Sequence, residues 1–367
     1  MTGGTSSASG GMTRAMKRAA AALAIALLLA LPGAANAAVS CGATITQDTV
    51  LDADLDCDGN GIVIGADGIT LDLAGHSVSA DGSSILNQGH DDVTIENGSV
   101  VVDTVGIRLQ GVTGNLIRNV SLSGLQNGIE MYDSDANRIV ANRLSGVWLR
   151  LQNGSDDNVI RANTVLAYEG LIWLVGSSGN RVTANVISNS QETGVVLAQA
   201  THTLVSRNDV TAINGGGVSL FESHDNEVAS NVVHARPNGA NPIDVFGIRV
   251  TGSHANLLRR NRFFDTTTAI DVASGWGNEL RRNEALNGLQ DGFLVEAAAV
   301  GTTLLRNYAQ NFGDDGIDAR SVSTRLGHNT ANGNGALGIR AVPGVTDLGG
   351  NSATGNGDPA QCLNVAC

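Results

Sequence analysis

Residues 105–120 read Val-Gly-Ile-Arg-Leu-Gln-Gly-Val-Thr-Gly-Asn-Leu-Ile-Arg-Asn-Val, and residues 127–142 read Asn-Gly-Ile-Glu-Met-Tyr-Asp-Ser-Asp-Ala-Asn-Arg-Ile-Val-Ala-Asn. The second stretch repeats the first in kind. A glycine precedes an apolar alternation (Ile107 and Leu109, then Ile129 and Met131), a polar turn follows, and an aliphatic residue leads to an asparagine. Alternation with period two is the mark of a strand, and no stretch here carries a helical stripe.

Working outward, the glycine or a small substitute recurs from Gly61 to Gly338, through Gly146, Gly170, Gly194, Gly217, Gly247, Ala269, Gly292 and Gly316, at a mean interval of about 23 residues. A second column of asparagines keeps step, beginning Asn119, Asn142, Asn163, Asn185, Asn208 and running to Asn351. An asparagine repeated at one turn can bond local backbone and stack on its copies as an amide ladder. One such unit cannot fold alone. About five buried aliphatics at ~1.5–3 kcal/mol each fall short of ~1–2 kcal/mol of backbone entropy for each of its residues. Stacked units share their core and pair their strands, so the period predicts an all-β, single-domain parallel β-helix solenoid of about 13 coils. A leucine-rich repeat has a similar period, but its L-x-x-L-x-L-x-x-N core is absent.

The ends of the chain define its compartment. Arg14, Lys17 and Arg18, then an apolar run over residues 19–31, then Pro32-Gly33 and Ala35-Asn36-Ala37 have the order of a secretory signal peptide, expected to occupy residues 1–37. The apolar run is too short for an ordinary membrane span. Its loss shifts the formal charge from −13 to −16 and removes the only lysine. Such a charge disfavours nucleic acid and anionic membranes as partners, and lysine-based Schiff-base chemistry is excluded. Cys41, Cys57, Cys362 and Cys367 permit three pairings; nearest-neighbour disulfides would close off the two terminal coils. The expected layout is an N-terminal cap at 38–60, repeats over 61–341 and a C-terminal coil and cap at 342–367, in a secreted or periplasmic monomer.

Asp67-Gly68-Ile69-Thr70-Leu71-Asp72-Leu73-Ala74-Gly75-His76 resembles a common first coil of the right-handed parallel β-helix repeat superfamily. That superfamily includes pectate lyases, polygalacturonases, alginate epimerases and a periplasmic family linked to copper-enzyme maturation. The resemblance spans roughly residues 41–367 and specifies the fold well and the activity poorly. It implies a substrate groove on the outer face of the strand that follows the glycine column.

Read by that register, the outward positions are Arg108, Glu130, Trp148, Ile172, Val196, Ser219, Arg249, Asp271, Leu294, Asp318 and Arg340, with Tyr132, Arg150, Glu296 and Arg320 in the next column. Neighbours one coil apart then form the pairs Arg108 with Glu130, Arg249 with Asp271, Glu296 with Arg320 and Asp318 with Arg340. Such pairs keep a sheet in register and hold carboxylates charged, which opposes acid–base catalysis.

Gln290-Asp291-Gly292-Phe293 and Gly313-Asp314-Asp315-Gly316-Ile317 are similar to polygalacturonase segments, so Asp291, Asp314 and Asp315 are candidates for glycosidic hydrolysis, although Asp before Gly is also ordinary turn chemistry. The G-H-G and R-I-K segments of that family have no match. A pectate-lyase reading would use Asp244, Asp265 and Asp271 for calcium with Arg249 as base. The long segment at 237–242 flanks that patch. Tyr132, Trp148, Trp173 and Arg150 are candidate sugar contacts, the aromatic rings serving as stacking surfaces. Whether Trp173 faces the core or the surface turns on a one-residue shift at Gly170. His224 and His254 occupy one turn position in adjacent coils and are candidates for copper or zinc. The leading functional expectation is a protein that binds an extracellular polysaccharide and, if an enzyme, acts as a lyase, hydrolase or epimerase. The competing expectations are a non-catalytic surface or structural interaction module and a periplasmic copper-handling protein.

Overall fold

Ile107 and Leu109 are fully buried and Arg108 is half-exposed, because successive side chains leave opposite faces of a strand. The computed structural model describes residues 38–166, 171–190, 192–212, 214–235 and 245–367, and every regular element among them is a strand. One 15-stranded parallel sheet contains Val105–Gln110 and each of its successors, from Ala43–Ile45 to Cys362–Leu363. We call it the groove sheet. In most coils two further strands follow, one on either side of the repeated asparagine position, as in Arg138–Val140 and Arg143–Ser145 around Asn142; in two early coils they run together as Thr94–Val102 and Leu116–Gly124. Each pairs in parallel with its copy on the next coil. The chain is therefore a parallel β-helix whose fifteen groove strands are separated by fourteen turns of the coil.

The repeat starts earlier than its glycine signal. Ala43–Ile45, Thr49–Val50 and Leu55–Cys57 pair with the three strands of the following coil, so the segment at 38–60 is itself a coil and accounts for the count above thirteen. Ala43 stands there where most later coils have Ile or Val after the glycine, which hid it from the periodicity. The Cys41–Cys57 disulfide ties this first coil, and Cys362–Cys367 ties the last.

The core is a set of vertical apolar columns. Ile107 pairs with Ile129, Ile129 with Leu149, and Leu149 with Ile172, all fully buried. This register corrects the outward column predicted from sequence. Trp173, not Ile172, stands beside Arg150, and Arg150 stands beside Glu130 in the place assigned to Trp148. The reason is local: the coil that ends near Gly146 is short, and a bulge between Asn127 and Ile129 absorbs the difference. Gly247 shows why the glycine column exists. A Cβ there would overlap the Phe263 ring and the carbonyl oxygen of Ala269 on the next coil.

The asparagine ladder runs from Asn142 to Asn351. Asn142 Nδ2 donates to Asn163 Oδ1 at 3.1 Å and to the Ile117 carbonyl at 2.9 Å, and the Asn142 backbone N–H donates to the same Oδ1 at 2.9 Å. Asn119 is not a rung: it is exposed with φ 54°, and Val120 occupies the ladder position beneath Asn142. A second ladder lies at the preceding bend, with Asn115, Asn137, Asn158, Asn180, Asn226, Asn256 and Asn278 as rungs. It follows the same period, but Thr203 and Thr302 interrupt it, and only the first ladder was read from the sequence.

Residues 1–37, the segment at 237–242 and Asp244 lie outside the described residues. Among the described residues no helix is long and apolar enough to cross a membrane.

Candidate functional site

The outer face of the groove sheet carries a continuous column that reads Arg108, Glu130, Arg150, Trp173, Val196, Ser219, Arg249, Asp271, Leu294, Asp318 and Arg340. It divides into three groups.

The first group centres on Glu130, a buried carboxylate. Arg108 Nη2 lies 3.0 Å from its Oε2 and Tyr132 Oη donates to its Oε1 at 2.8 Å. Burial, followed by this carboxylate, pushes the Tyr132 hydroxyl above its ordinary range. The Arg150 guanidinium lies 4.6 Å from the centre of the Trp173 ring, a cation–π contact. Trp148 pairs with Asn127 at the entrance to the same strand as Arg150. Tyr132, Trp148, Arg150 and Trp173 thus gather on three successive coils. Around them Arg108 Nε, Asn127 Oδ1, Trp148 Nε1, Arg150 Nε and Trp173 Nε1 are buried without a hydrogen-bond partner. Each such atom costs roughly 1–3 kcal/mol unless something pairs with it. The sequence pointed to the aromatics and to Arg150; it gave no signal for Asn127.

The second group is Arg249 with Asp271, whose Oδ2 accepts from Arg249 Nε at 2.9 Å, while the guanidinium also covers the Phe246 ring. Asp265 is exposed on the turn before this strand with φ 60° and does not join Asp271 in a set of three potential ligands among the described residues. Asp265 follows Arg262–Phe264, a strand of a different sheet from that of Asp271, and Asp244, the third residue of the expected calcium set, lies outside the described residues.

The third group is acidic. Carboxylate oxygens of Asp291, Asp314 and Asp315 lie within 4.8 Å of one another, with Asp291 and Asp315 buried and Asp314 exposed. Asp291 Oδ1 accepts from the Asp315 backbone N–H at 3.1 Å. Asp315 Oδ1 accepts from the Leu337 N–H at 2.8 Å, and its Oδ2 from Arg340 Nε at 2.5 Å. Burial pushes Asp291 up to about 7, with Asp318, Asp314 and Asp315 adding like-charge repulsion. Arg320 offsets this only in part. Its Nε donates to Asp318 at 2.7 Å and its Nη1 to Glu296 at 3.1 Å, whereas Asp291 is 3.8 Å away. Burial also raises Asp318 despite its bond from Arg320. The predicted Glu296–Arg320 pair forms, but the Asp318–Arg340 pair does not: the Arg340 side chain reaches the more deeply buried Asp315 instead.

Away from the groove face, His224 and His254 stack with ring centroids 3.3 Å apart, and Trp276 stacks on His254 at 4.2 Å. Desolvation, then the charge of His224, lowers the His254 imidazole from its ordinary value. His202 stands one residue out of this column, where Thr201 pairs with His224.

The sequence profile of a family described as periplasmic copper-binding protein (NosD) matches residues 41–240, more than half of the chain. The chain belongs to the NosD family. A profile for a right-handed β-helix region matches residues 193–358 of this NosD family member. No curated protein sequence matches it.

Solved structures similar to this NosD chain share its fold. A DFA-IIIase from Arthrobacter chlorophenolicus A6, without its lid and in complex with GF2, is 16% identical, covers 73% of this chain and 85% of its own, and superposes with a TM-score of 0.58. A mutant of that enzyme in complex with DFA-III is 14% identical, with coverage of 78% and 84% and a TM-score of 0.51. A mutant tailspike protein of the Escherichia coli bacteriophage HK620, in complex with a pentasaccharide, is 12% identical, with coverage of 88% and 68% and a TM-score of 0.50.

The family description raises copper, and among the described residues the histidine, cysteine and methionine side chains do not form a convergent set for it. Copper favours convergent imidazole and sulfur donors. All four cysteines are in disulfides, and Met131 is buried in the core. The face-to-face stacking of His224 on His254 aligns their in-plane lone pairs side by side instead of converging them. His76 and His90 each meet one carboxylate, Asp54 and Asp67. The group of three potential ligands among the described residues, Asp291 with Asp314 and Asp315, is all oxygen.

Proposed function

We propose that this NosD family member is an exported protein that binds a polysaccharide along the outer face of the groove sheet, anchoring it at Tyr132, Trp148, Arg150 and Trp173. The observation that carries the reading is the gathering of Tyr132, Trp148, Arg150 and Trp173 on three successive coils of the outer face, with the Arg150 guanidinium 4.6 Å from the Trp173 ring centre. Sugars present hydroxyl and carboxyl oxygens beside apolar ring faces, which suits N–H donors set among indole and phenol rings. The groove sheet is continuous over fifteen strands, a surface matched to a linear polymer. The DFA-IIIase complexes and the tailspike complex are β-helix proteins whose bound molecules are GF2, DFA-III and a pentasaccharide.

Cleavage is assigned to Asp291, Asp314 and Asp315, six to seven coil steps from Arg150 and about 30 Å along the axis. Asp291, with its proton held to about pH 7, is the candidate acid. Asp314, exposed beside it, is the candidate base. A bound chain long enough to reach both groups would be anchored at one and cut at the other.

The test is incubation of the mature chain with acidic and neutral polysaccharides, with and without calcium. Unsaturated ends identify a lyase; new reducing ends without unsaturation identify a hydrolase. Binding to the groove face without products, weakened about tenfold by Trp148→Ala or Trp173→Ala, leaves a non-catalytic binding module. Absence of binding to every glycan sinks the proposal.

A further inference from the structure

The bend that holds the first asparagine ladder carries a second ladder on its outside. The residue before each rung adopts the left-handed conformation, and in successive coils it is Ala141, Ala162, Ala184, Arg207, Ser230, Arg260, Arg282, Arg306 and His328. Alanine and serine satisfy the backbone at this position, so the fold does not demand arginine there. Even so, Arg260, Arg282 and Arg306 follow one another on consecutive coils, with Arg260 N–H bonded to the Arg281 carbonyl and Arg282 N–H to the Leu305 carbonyl. On the adjacent strands Arg259 lies directly opposite Arg281. Like charges one coil apart repel, and repulsion kept in an otherwise acidic chain calls for a compensating ligand.

The neighbouring acids compensate Arg259 and Arg281 but not Arg260, Arg282 or Arg306. The ion pairs described on this face are Arg259 with Glu227 at 2.5 Å, Arg262 with Glu284 at 2.7 Å, and Arg281 with Glu279. None includes Arg260, Arg282 or Arg306. Two adjoining surface cavities of about 330 and 590 Å³ run along the bend and share Arg259 and Arg260 as walls. Arg161, Arg181 and Arg207 line the first part of this trough, and Arg282, Arg306 and His328 the last.

We infer that this trough is a second polymer site, for a linear acidic polysaccharide lying parallel to the solenoid axis. From Arg260 through Arg306 the guanidiniums recur once per coil, about 4.8 Å, close to the length of one sugar residue, so successive carboxylates or sulfates of such a chain meet successive arginines; the coil of Ser230 and Glu227 separates this run from Arg207. A small anion would engage one or two rungs and leave the rest repelling. A duplex nucleic acid is a wide polyanion that brings the remaining acidic surface into range and is disfavoured by the chain's net charge. The site lies at a different bend of the coil from the groove face and is independent of the function proposed there.

The experiment is fluorescence anisotropy of the mature chain with labelled polygalacturonate and alginate, with neutral dextran and duplex DNA as comparisons, across a salt series. The wild type should bind the acidic glycans with affinity that falls steeply with salt, and dextran and DNA at least tenfold more weakly. The triple variant Arg260→Ala, Arg282→Ala, Arg306→Ala should lose at least tenfold in affinity and show a shallower salt dependence. Should the triple variant fail to fold, the double variant Arg282→Gln, Arg306→Gln should lose at least threefold. Trp173→Ala, on the groove face, separates the two sites: the salt-dependent binding should survive it. Affinity unchanged in the arginine variants, salt-dependent binding lost in Trp173→Ala, or a preference for DNA over acidic glycans would each overturn the inference.

Discussion

The carboxylate of Asp291 accepts a hydrogen bond from the backbone N–H of Asp315, one coil further on, at 3.1 Å. Asp291 is thereby fixed in a buried position where its proton is retained to about pH 7. The unfolded chain would release that proton near 3.8, so between about pH 4 and 7 the native state binds more protons and stability falls as pH rises. Asp291→Asn preserves the acceptor and removes the titration. It should flatten this limb of the pH–stability curve and stabilise the fold at pH 8 by on the order of 1–2 kcal/mol. Thermal unfolding monitored between pH 4 and 8 gives the answer; a curve parallel to that of the wild type would refute the burial argument. If the acid cluster cleaves a glycan, the same variant should lose at least about a hundredfold in turnover.

Trp173→Ala removes the aromatic face over which Arg150 sits. Affinity for a glycan bound on the groove face should fall about tenfold, ~1.4 kcal/mol, with little change in stability because the ring is only half-buried. Calorimetric titration of wild type and variant measures it. Trp148→Ala should act in the same direction.

Asn231 sits in the middle of the ladder. It donates from both its side chain and its backbone to Asn261 Oδ1, and accepts at its own Oδ1 from Asn208. Asn231→Ala leaves several buried donors and acceptors unpaired and should cost roughly 2–4 kcal/mol. Because coils contact only their neighbours, the loss should appear in hydrogen exchange as weakened protection of the flanking coils, with the distant ends unchanged. Uniform loss of protection along the chain would contradict this.

The Cys41–Cys57 disulfide closes a loop on the outermost coil. Replacing both residues with serine should cost about 3 kcal/mol locally and raise the rate of proteolysis within residues 38–60 while later coils remain resistant. Mass-mapped cleavage sites decide it.

Gly247→Ala should be among the most damaging of small substitutions, by about 3 kcal/mol or more, because the new methyl group would overlap both the Phe263 ring and the next coil's backbone. Gly252, on an open turn at φ 61°, should cost only the ~1 kcal/mol of a strained backbone when replaced with alanine. Paired thermal melts distinguish steric overlap from conformational strain.

Much of this fold was written in local pattern. The alternation of Ile107 with Leu109, the small residue before it and the asparagine after it each express a preference that a single coil can satisfy, and their repetition made the solenoid and its inward columns legible. The chemistry of the candidate groove residues was legible too, since charged and aromatic types stand out against an aliphatic background. Tertiary structure decided which residues meet. A slip of one residue turns a side chain to the opposite face, so the short coil near Gly146 placed Trp173 outside and Ile172 inside, which periodicity left open. Long side chains choose partners by reach, so Arg340 took Asp315 over the Asp318 directly beside it, and Asp291 kept its proton. Arg260, Arg282 and Arg306 each precede a rung of the asparagine column and so fall in line by period; stacking decides that the acids beside them pair with Arg259, Arg262 and Arg281 instead.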